Sequence, residues 1–171
     1  MPPKKHAKHH HHPEHEAAKH LRRSYEHLGR VEALGDLAGD TTSGSASQLL
    51  QLARKLLNAD SPRDAADALR AAEHVCFATL ASNAKAVAKI DEELLSALDD
   101  EFDKLAARAE EHWESREDRD PVVMNLFPKL LQDSRVAYDK RKYRQALELV
   151  RAAEALAHVD ALVDSRHRLS T

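Results

Sequence analysis

The sequence predicts an all-α protein of about six helices, and three observations support this prediction. Alanine and leucine supply 52 of the 72 hydrophobic residues in the chain of 171, whereas valine occurs nine times and isoleucine once. Because β-branched residues fill the pleated surfaces of sheets, their scarcity excludes a mostly β fold. The chain also has only four glycines and six prolines, and 32% of its residues are charged. This composition is typical of alanine-rich helices, and a hydrophobic content of 42% is too high for wholesale disorder.

Apolar periodicity and helix-stopping residues divide the chain into segments. The first 13 residues have no hydrophobic periodicity and are expected to form a flexible arm. The stretch 35–47 holds three of the four glycines and predicts a linker. Proline follows Asp60-Ser61 and Asp120, which suits a helix start at each place. The predicted helices are 14–34, 46–59, 63–82, 84–118, 123–139 and 143–167.

The boundary between the third and fourth helices is drawn inside a run without glycine or proline, residues 63–120. One long helix is therefore an alternative to two. We place a kink or a short turn at Ser82-Asn83, because serine and asparagine form helices poorly. The apolar stripe from Val87 to Trp113 advances about 3.7 residues per step, which follows a straight helix better than a coiled-coil seam. A partner helix in the same bundle explains this stripe, and a homodimer is also compatible with it.

The chain repeats itself at an offset of 81 residues. Leu49-Leu50-Gln51 aligns with Leu130-Leu131-Gln132, and Arg70-Ala71-Ala72-Glu73 aligns with Arg151-Ala152-Ala153-Glu154 without a gap. Ten of the 25 positions from Leu49 to Glu73 are identical to their counterparts. We interpret this pattern as the internal duplication of a three-helix unit.

The duplication predicts the domain organisation. The two halves lie at about 14–82 and 84–167, and each presents an apolar face that it cannot bury alone. We therefore expect residues 14–171 to form a single helical domain, either an antiparallel bundle or a short superhelix, behind the flexible arm 1–13.

Each copy contains a helical pair with a regular order of large and small residues. In the second copy, over 127–157, these are Leu130, Ser134, Tyr138, Tyr143, Ala146, Val150 and Ala153. In the first copy they are Leu49, Ala53, Leu57, Pro62, Ala65, Leu69 and Ala72. Over about 60 residues this order resembles the hairpin of tetratricopeptide repeats, but the copies are not about 34 residues apart and the signature Trp and Gly are missing. The resemblance implies a helical interaction module that binds a protein or peptide partner through the first helix of each hairpin, with Arg54, Asn58, Arg135 and Asp139 as candidate binding residues.

Histidine is concentrated near the N-terminus, where eight of the twelve occur in the first 27 residues. Imidazole nitrogens bind Zn, Ni, Co and Cu well, and a mobile run of histidines supplies several nitrogens to one ion. The candidate metal ligands are His9, His10, His11, His12 and His15. A purification tag has the same composition, although here the histidines are interspersed with Lys and Glu. No cofactor is required by this reading, and a metal-handling or metal-sensing protein is the alternative to the interaction module.

Other classes of activity receive little support from the sequence. Residues 1–30 carry seven Lys or Arg against three Asp or Glu, but they lack aromatic residues before Tyr25, so nucleic acid is not the expected partner. Catalytic motifs such as HExxH and GxSxG are missing, and no histidine follows a glutamate by three residues as in di-iron bundles. Arg151 and His158 have the Arg-x6-His spacing that resembles the HEPN family of dimeric helical ribonucleases. That resemblance implies a further alternative function; otherwise we expect a protein that is not an enzyme.

The remaining features concern location. Cys76 is the only cysteine, so we expect a buried free thiol and a reducing compartment. The first 30 residues have no apolar signal segment, and the longest apolar run, Val75–Ala81, is far shorter than a membrane span of ~20 residues. The sequence therefore predicts a soluble cytoplasmic protein that does not enter a membrane.

Overall fold

The computed structural model describes residues 13–39, 44–82 and 92–162. Within these ranges all regular structure is α-helical, which confirms the predicted all-α fold with six helices. The helices are α1 (Pro13–Ala38), α2 (Ser45–Asn58), α3 (Pro62–Ser82), α4 (Glu92–Glu114), α5 (Pro121–Asp139) and α6 (Tyr143–Ala157).

Three helix ends differ from the prediction by more than two residues. Helix α4 ends at Glu114, so the prediction of a helix through residue 118 is wrong for residues 115–118. Helix α1 continues through Gly35, where an end was predicted, and stops at Ala38 before Gly39 adopts a left-handed conformation with φ of 70°. Helix α6 ends at Ala157, so the prediction of a helix through residue 167 is wrong for residues 158–162. Helix α3 ends at Ser82, where a turn was predicted. The predicted arm 1–13 is wrong for Pro13, which begins α1, and its residues 1–12 lie outside the described residues. Asn83, the first part of the predicted fourth helix (84–91) and the last part of the predicted sixth helix also lie outside them.

The two helical hairpins close with the same turn. Asp60 follows α2 with φ of 57°, and its counterpart Arg141 follows α5 with φ of 60°. The amide of Ser61 donates to the Leu56 carbonyl at 2.8 Å, just as the amide of Lys142 donates to the Ala137 carbonyl at 2.9 Å. This arrangement of a left-handed residue and a returning hydrogen bond satisfies carbonyls at the helix end. The turn thus repeats at the offset that relates the two copies of the sequence.

Helices α3 and α6 form the centre of the molecule and run antiparallel. Asp64, near the start of α3, accepts a hydrogen bond from the amide of Asp160, just past the end of α6, at 2.9 Å. Further along, the His74 imidazole donates from Nδ1 to the carboxylate of Glu148, near the start of α6, at 2.7 Å. Between these two contacts lie the alanines of the repeated Arg-Ala-Ala-Glu motif, all completely buried: Ala71, Ala72, Ala152 and Ala153. Their small side chains allow the two helices to approach closely.

The outer helices complete two equivalent units around this centre. Helix α1 packs on α2 and α3, and helix α4 packs on α6 in the second unit. In the second unit Trp113 of α4 also stacks on Phe127 of α5, with ring centroids 4.2 Å apart. Buried side chains from all six helices join one hydrophobic cluster. Helices α1 and α4 thus lie beside the two central helices, and the internal duplication stays a prediction.

A buried arginine connects two helix ends in the second unit. Arg119, only 6% exposed, lies between α4 and α5. Its guanidinium donates to the carbonyls of Ala157 at 2.8 Å and His112 at 2.7 Å, which are at the ends of α6 and α4. It also lies 4.7 Å above the Trp113 ring. A cation at the carbonyl ends of two helices complements both helix dipoles. Burial lowers the pKa of this guanidinium.

Candidate functional site

The arginines predicted to bind a partner lie on the first helix of each hairpin and contact the chain itself. Arg54 of α2 forms an ion pair with Glu32 of α1. Its counterpart Arg135 of α5 forms an ion pair with Glu110 of α4. The arginines correspond by the internal offset, whereas the glutamates do not, and each ion pair joins the outer helix of a unit to its hairpin. The binding role predicted for these arginines stays a prediction.

The other predicted partner-binding residues are exposed. Asn58 ends α2 and Asp139 ends α5, beside the turns that close the two hairpins. Arg135 also borders a groove of about 330 Å³ between α4 and α5, together with Trp113 and Phe127. The structure therefore does not bring Arg54, Asn58, Arg135 and Asp139 into one common site.

The predicted metal ligands fall mostly outside the described residues. His9, His10, His11 and His12 are among residues 1–12, and His15 is an exposed side chain in the first turn of α1. Within 13–39, 44–82 and 92–162, no three metal-ligating side chains come together. Cys76, the single cysteine of the sequence, is buried on α3.

The pair named for the ribonuclease alternative has separate neighbours. Arg151 donates to Glu101 at 2.8 Å and to Glu148 at 3.2 Å. His158 donates to Glu154 at 3.2 Å, and its ring lies 4.0 Å from that of His112. The side chains of Arg151 and His158 thus each face different acidic groups.

A large concave surface lies between α1 and the first half of α3. Its volume is about 1030 Å³. We call it the α1/α3 groove, and its lining consists of Ala17, His20, Arg23, Ser24, Glu26, His27, Arg30, Pro62, Arg63, Ala66, Asp67, Arg70 and His158.

The two walls of the α1/α3 groove run in the same direction. Ala17 and Pro62, near the beginnings of their helices, line the same cavity. Further along both helices, His27 donates from Nε2 to the Glu73 carboxylate at 3.0 Å. Helices α1 and α3 are therefore parallel where they line the groove.

Positive charge dominates the lining of the α1/α3 groove. Four arginines face two carboxylates, Glu26 and Asp67, although the whole chain has a net charge of -3. Arg70 lies 3.3 Å from Asp67 in the same helix. The other three arginines are exposed and make no hydrogen bond or ion pair with any described residue; they are Arg23, Arg30 and Arg63.

The carboxylate at the base of the groove is poorly solvated. Burial raises the pKa of Asp67 above its ordinary value of 3.8, against the opposing effect of the positive charge on Arg70. His158 and Arg63 also lower the pKa of this carboxyl group, and Asp64 raises it. Asp67 is therefore a partly desolvated carboxylate beside several cations, an environment that is common in functional sites.

The sequence contains a signal for this groove that the motif analysis missed. Arg23 and Arg30 are seven residues apart on α1, and Arg63 and Arg70 are seven residues apart on α3. Residues spaced by seven lie on one face of a helix two turns apart. The pairing of α1 with α3, which brings the two faces together, depends on packing and is not visible in the spacing.

None of the helices in the described ranges is long and apolar enough to span a bilayer. Comparison of the chain with known protein families, with functionally characterised proteins and with solved structures finds no significant match.

Proposed function

We propose that the protein is a helical protein-protein interaction module whose α1/α3 groove binds an acidic segment of a partner protein. The observation that carries this proposal is the set of three exposed arginines in one groove without an acidic partner among the described residues. Exposed ion pairs add little to stability, so arginines are free to remain unpaired on a surface. Three of them facing one large groove, however, give that groove a strong preference for negative charge.

The side chains of the groove suit carboxylates better than nucleic acid. Arginine presents a planar fork that donates two parallel hydrogen bonds to a carboxylate. The lining contains no Phe, Tyr or Trp on which a base would stack. Glu26 and Asp67 would also repel the continuous charge of a phosphate backbone. A protein segment with separated acidic residues avoids both problems.

The size of the groove fits a peptide segment. A volume of about 1030 Å³ is at the upper end of the range for small-molecule sites. The apolar part of the lining is made of small side chains, Ala17, Ala66 and Pro62. A partner would therefore be oriented chiefly by charge, with a small apolar contact to these three residues.

The test uses a fluorescein-labelled glutamate-rich peptide as probe and measures fluorescence anisotropy with the full chain. The double variant Arg23→Ala/Arg63→Ala should weaken binding about tenfold or more, because it removes two of the three unpaired cations. The matched control is Lys104→Ala/Arg144→Ala, which changes the counterparts of these residues in the second unit and removes the same charge. The control should bind like the unmodified chain.

Equal losses in the two double variants would show a general charge effect and contradict the proposed groove. An absence of measurable binding would contradict the proposal as a whole. Tighter binding of a single-stranded oligonucleotide, lost in Arg23→Ala/Arg63→Ala, would replace a protein partner by nucleic acid.

A further inference from the structure

We infer that the acidic segment bound in the α1/α3 groove is a helix whose acidic residues recur every seven positions. This inference rests on the proposed function and specifies the partner's conformation and charge spacing. It follows from the spacing of the arginines on the two walls and from the direction in which the walls run.

The arginines form two parallel rows. Arg23 and Arg30 are two turns apart on α1, and Arg63 and Arg70 are two turns apart on α3. A helix rises about 1.5 Å per residue, so the two members of each row are separated by about 10.5 Å along the axis. Since α1 and α3 run in the same direction, both rows repeat with the same period along the groove.

A helix lying along the groove matches this period. Its residues i and i+7 are also about 10.5 Å apart and face the same side. An extended strand places same-side residues about 7 or 13 Å apart, because alternate side chains point to opposite faces. Acidic side chains on a strand would therefore fall out of step with the arginines within one repeat.

The shape of the groove accommodates a helix. Two helical turns with a diameter of about 10 Å occupy roughly 800 Å³. The α1/α3 groove holds about 1030 Å³, and the small apolar side chains in its lining, Ala17, Ala66 and Pro62, allow close approach of another helix. The mode of recognition would thus be a helix in a groove between two helices.

The two arginines of the row on α3 differ in their ion pairing. Arg70 already lies 3.3 Å from the Asp67 carboxylate, whereas Arg63, at the other end, has no such contact with a described residue. An acidic group of the partner therefore gains more at Arg63 than at Arg70. Arg63 is the position at which the register of the bound helix is best tested.

The experiment compares three labelled peptides of identical composition with the full chain by fluorescence anisotropy. The striped peptide is an alanine-based helix with glutamates at every seventh position, and the scrambled peptide carries the same glutamates around the whole helix. The third peptide keeps the stripe but has its proline residues moved from the ends to the centre, which prevents helix formation. Circular dichroism establishes that the first two have equal helicity.

The striped peptide should bind about tenfold more tightly than either of the others. The Arg63→Glu variant should bind the striped peptide more weakly. A single Glu→Lys change in that peptide should restore its affinity for the variant, but only when the changed glutamate is the one that lies opposite position 63. Arg144→Glu, in the second unit, is the matched control and should retain the affinity for the striped peptide.

Equal binding of all three peptides, lost in Arg23→Ala/Arg63→Ala, would overturn the helical register and leave the proposed acidic groove intact. Tightest binding of the central-proline peptide would replace the helix by an extended segment. No binding of any peptide would overturn the proposed function together with this inference.

Discussion

Asp67 and Arg70 at the base of the α1/α3 groove correspond in the second unit to Glu148 and Arg151. Within the part of the chain that the structure describes, Arg70 forms an ion pair with Asp67 alone, at 3.3 Å, whereas Arg151 bridges Glu148 and Glu101 of α4. The residue of α1 that corresponds to Glu101 is His20. The second unit therefore pairs this arginine across the α4/α6 interface, whereas in the first unit the corresponding position of α1 is a histidine and Arg70 lines the groove.

A second contrast concerns the helix ends. In the second unit Arg119 donates to carbonyls at the ends of both α4 and α6. The corresponding position in the first unit is Ala38, which has no side-chain donor. In the second unit a buried cation thus joins two helix ends, whereas in the first unit Arg23, Arg30 and Arg63 line the α1/α3 groove without an ion pair to a described residue. Under the proposed function, these three arginines bind the partner.

The largest expected effect concerns the buried side chain of Arg119. Arg119→Ala should lower the free energy of unfolding by about 3 kcal/mol, because it removes hydrogen bonds from a buried cation to the ends of two helices. Urea denaturation of the full chain measures this change. Arg116→Ala is the control: Arg116 is half-exposed and lies 3.3 Å from Asp160, so its loss should cost about 0.5 kcal/mol or less. Similar losses in the free energy of unfolding for the two variants would contradict the role of Arg119 in joining the helix ends.

The next effect tests the equivalence of the two units at their centre. Ala71→Leu and Ala152→Leu each insert a larger side chain where α3 crosses α6, and each should destabilise the chain by about 2 kcal/mol. The two losses should agree within about 1 kcal/mol, because the positions correspond by the internal repeat. Thermal or urea unfolding provides the measurement. The control Ala33→Leu, on the exposed face of α1, should leave stability nearly unchanged. A much larger loss of stability in one central variant than in the other would contradict the equivalence of the two positions.

Neutralising the two corresponding acids should give effects of opposite sign. Glu148→Gln should cost about 2 kcal/mol at neutral pH, because the buried carboxylate accepts from His74 and Arg151. Asp67→Asn should instead stabilise the chain at neutral pH, because burial raises the pKa of the Asp67 carboxyl group.

The pH dependence of Asp67→Asn follows from the direction of that pKa shift. The folded chain binds the proton more tightly than the unfolded chain, so ionisation of Asp67 lowers stability above the raised pKa. Below the ordinary pKa of 3.8 the carboxyl group is protonated in both states, and the advantage of the variant should vanish. Urea unfolding at acidic and neutral pH measures the change, and a gain that is independent of pH would contradict this explanation.

The smallest expected effect concerns the paired turns. Arg141→Gly should stabilise the chain by about 0.5–1 kcal/mol, because an L-residue with a side chain is strained in the left-handed region. Asp60→Gly should gain less, since aspartate tolerates that region better. Lys142→Gly, at a φ of -88°, should give no gain. Chemical denaturation of the three variants distinguishes these outcomes.

Local patterns in the sequence predicted most of the fold. The helix starts at Pro62 and Pro121 and the duplication all follow from residues close together or from a fixed offset. The end of α6 could not be predicted in this way, because Arg119, far away in the sequence, binds the carbonyls of Ala157 and Val159. Continued apolar spacing beyond Ala157 gave no sign of that contact.

The candidate groove was less accessible to sequence analysis for a related reason. The spacing of Arg23 and Arg30, and of Arg63 and Arg70, is visible in the sequence, but the pairing of α1 with α3 is a property of the packed molecule. The positions of Arg54 and Arg135 on the hairpins likewise contain no information about Glu32 and Glu110, their ion-pair partners on the neighbouring helices.

The buried alanines where α3 crosses α6 also bear on how the assembly responds to dilution. Two separate copies of one three-helix unit that met through such a contact would dissociate as their concentration fell. With both copies in one polypeptide, the contact forms at an effective concentration set by the connecting segment, whatever the amount of protein in the solution. Covalent linkage also frees the halves from having to stay identical, so that Glu101 and His20 can occupy corresponding places with different consequences.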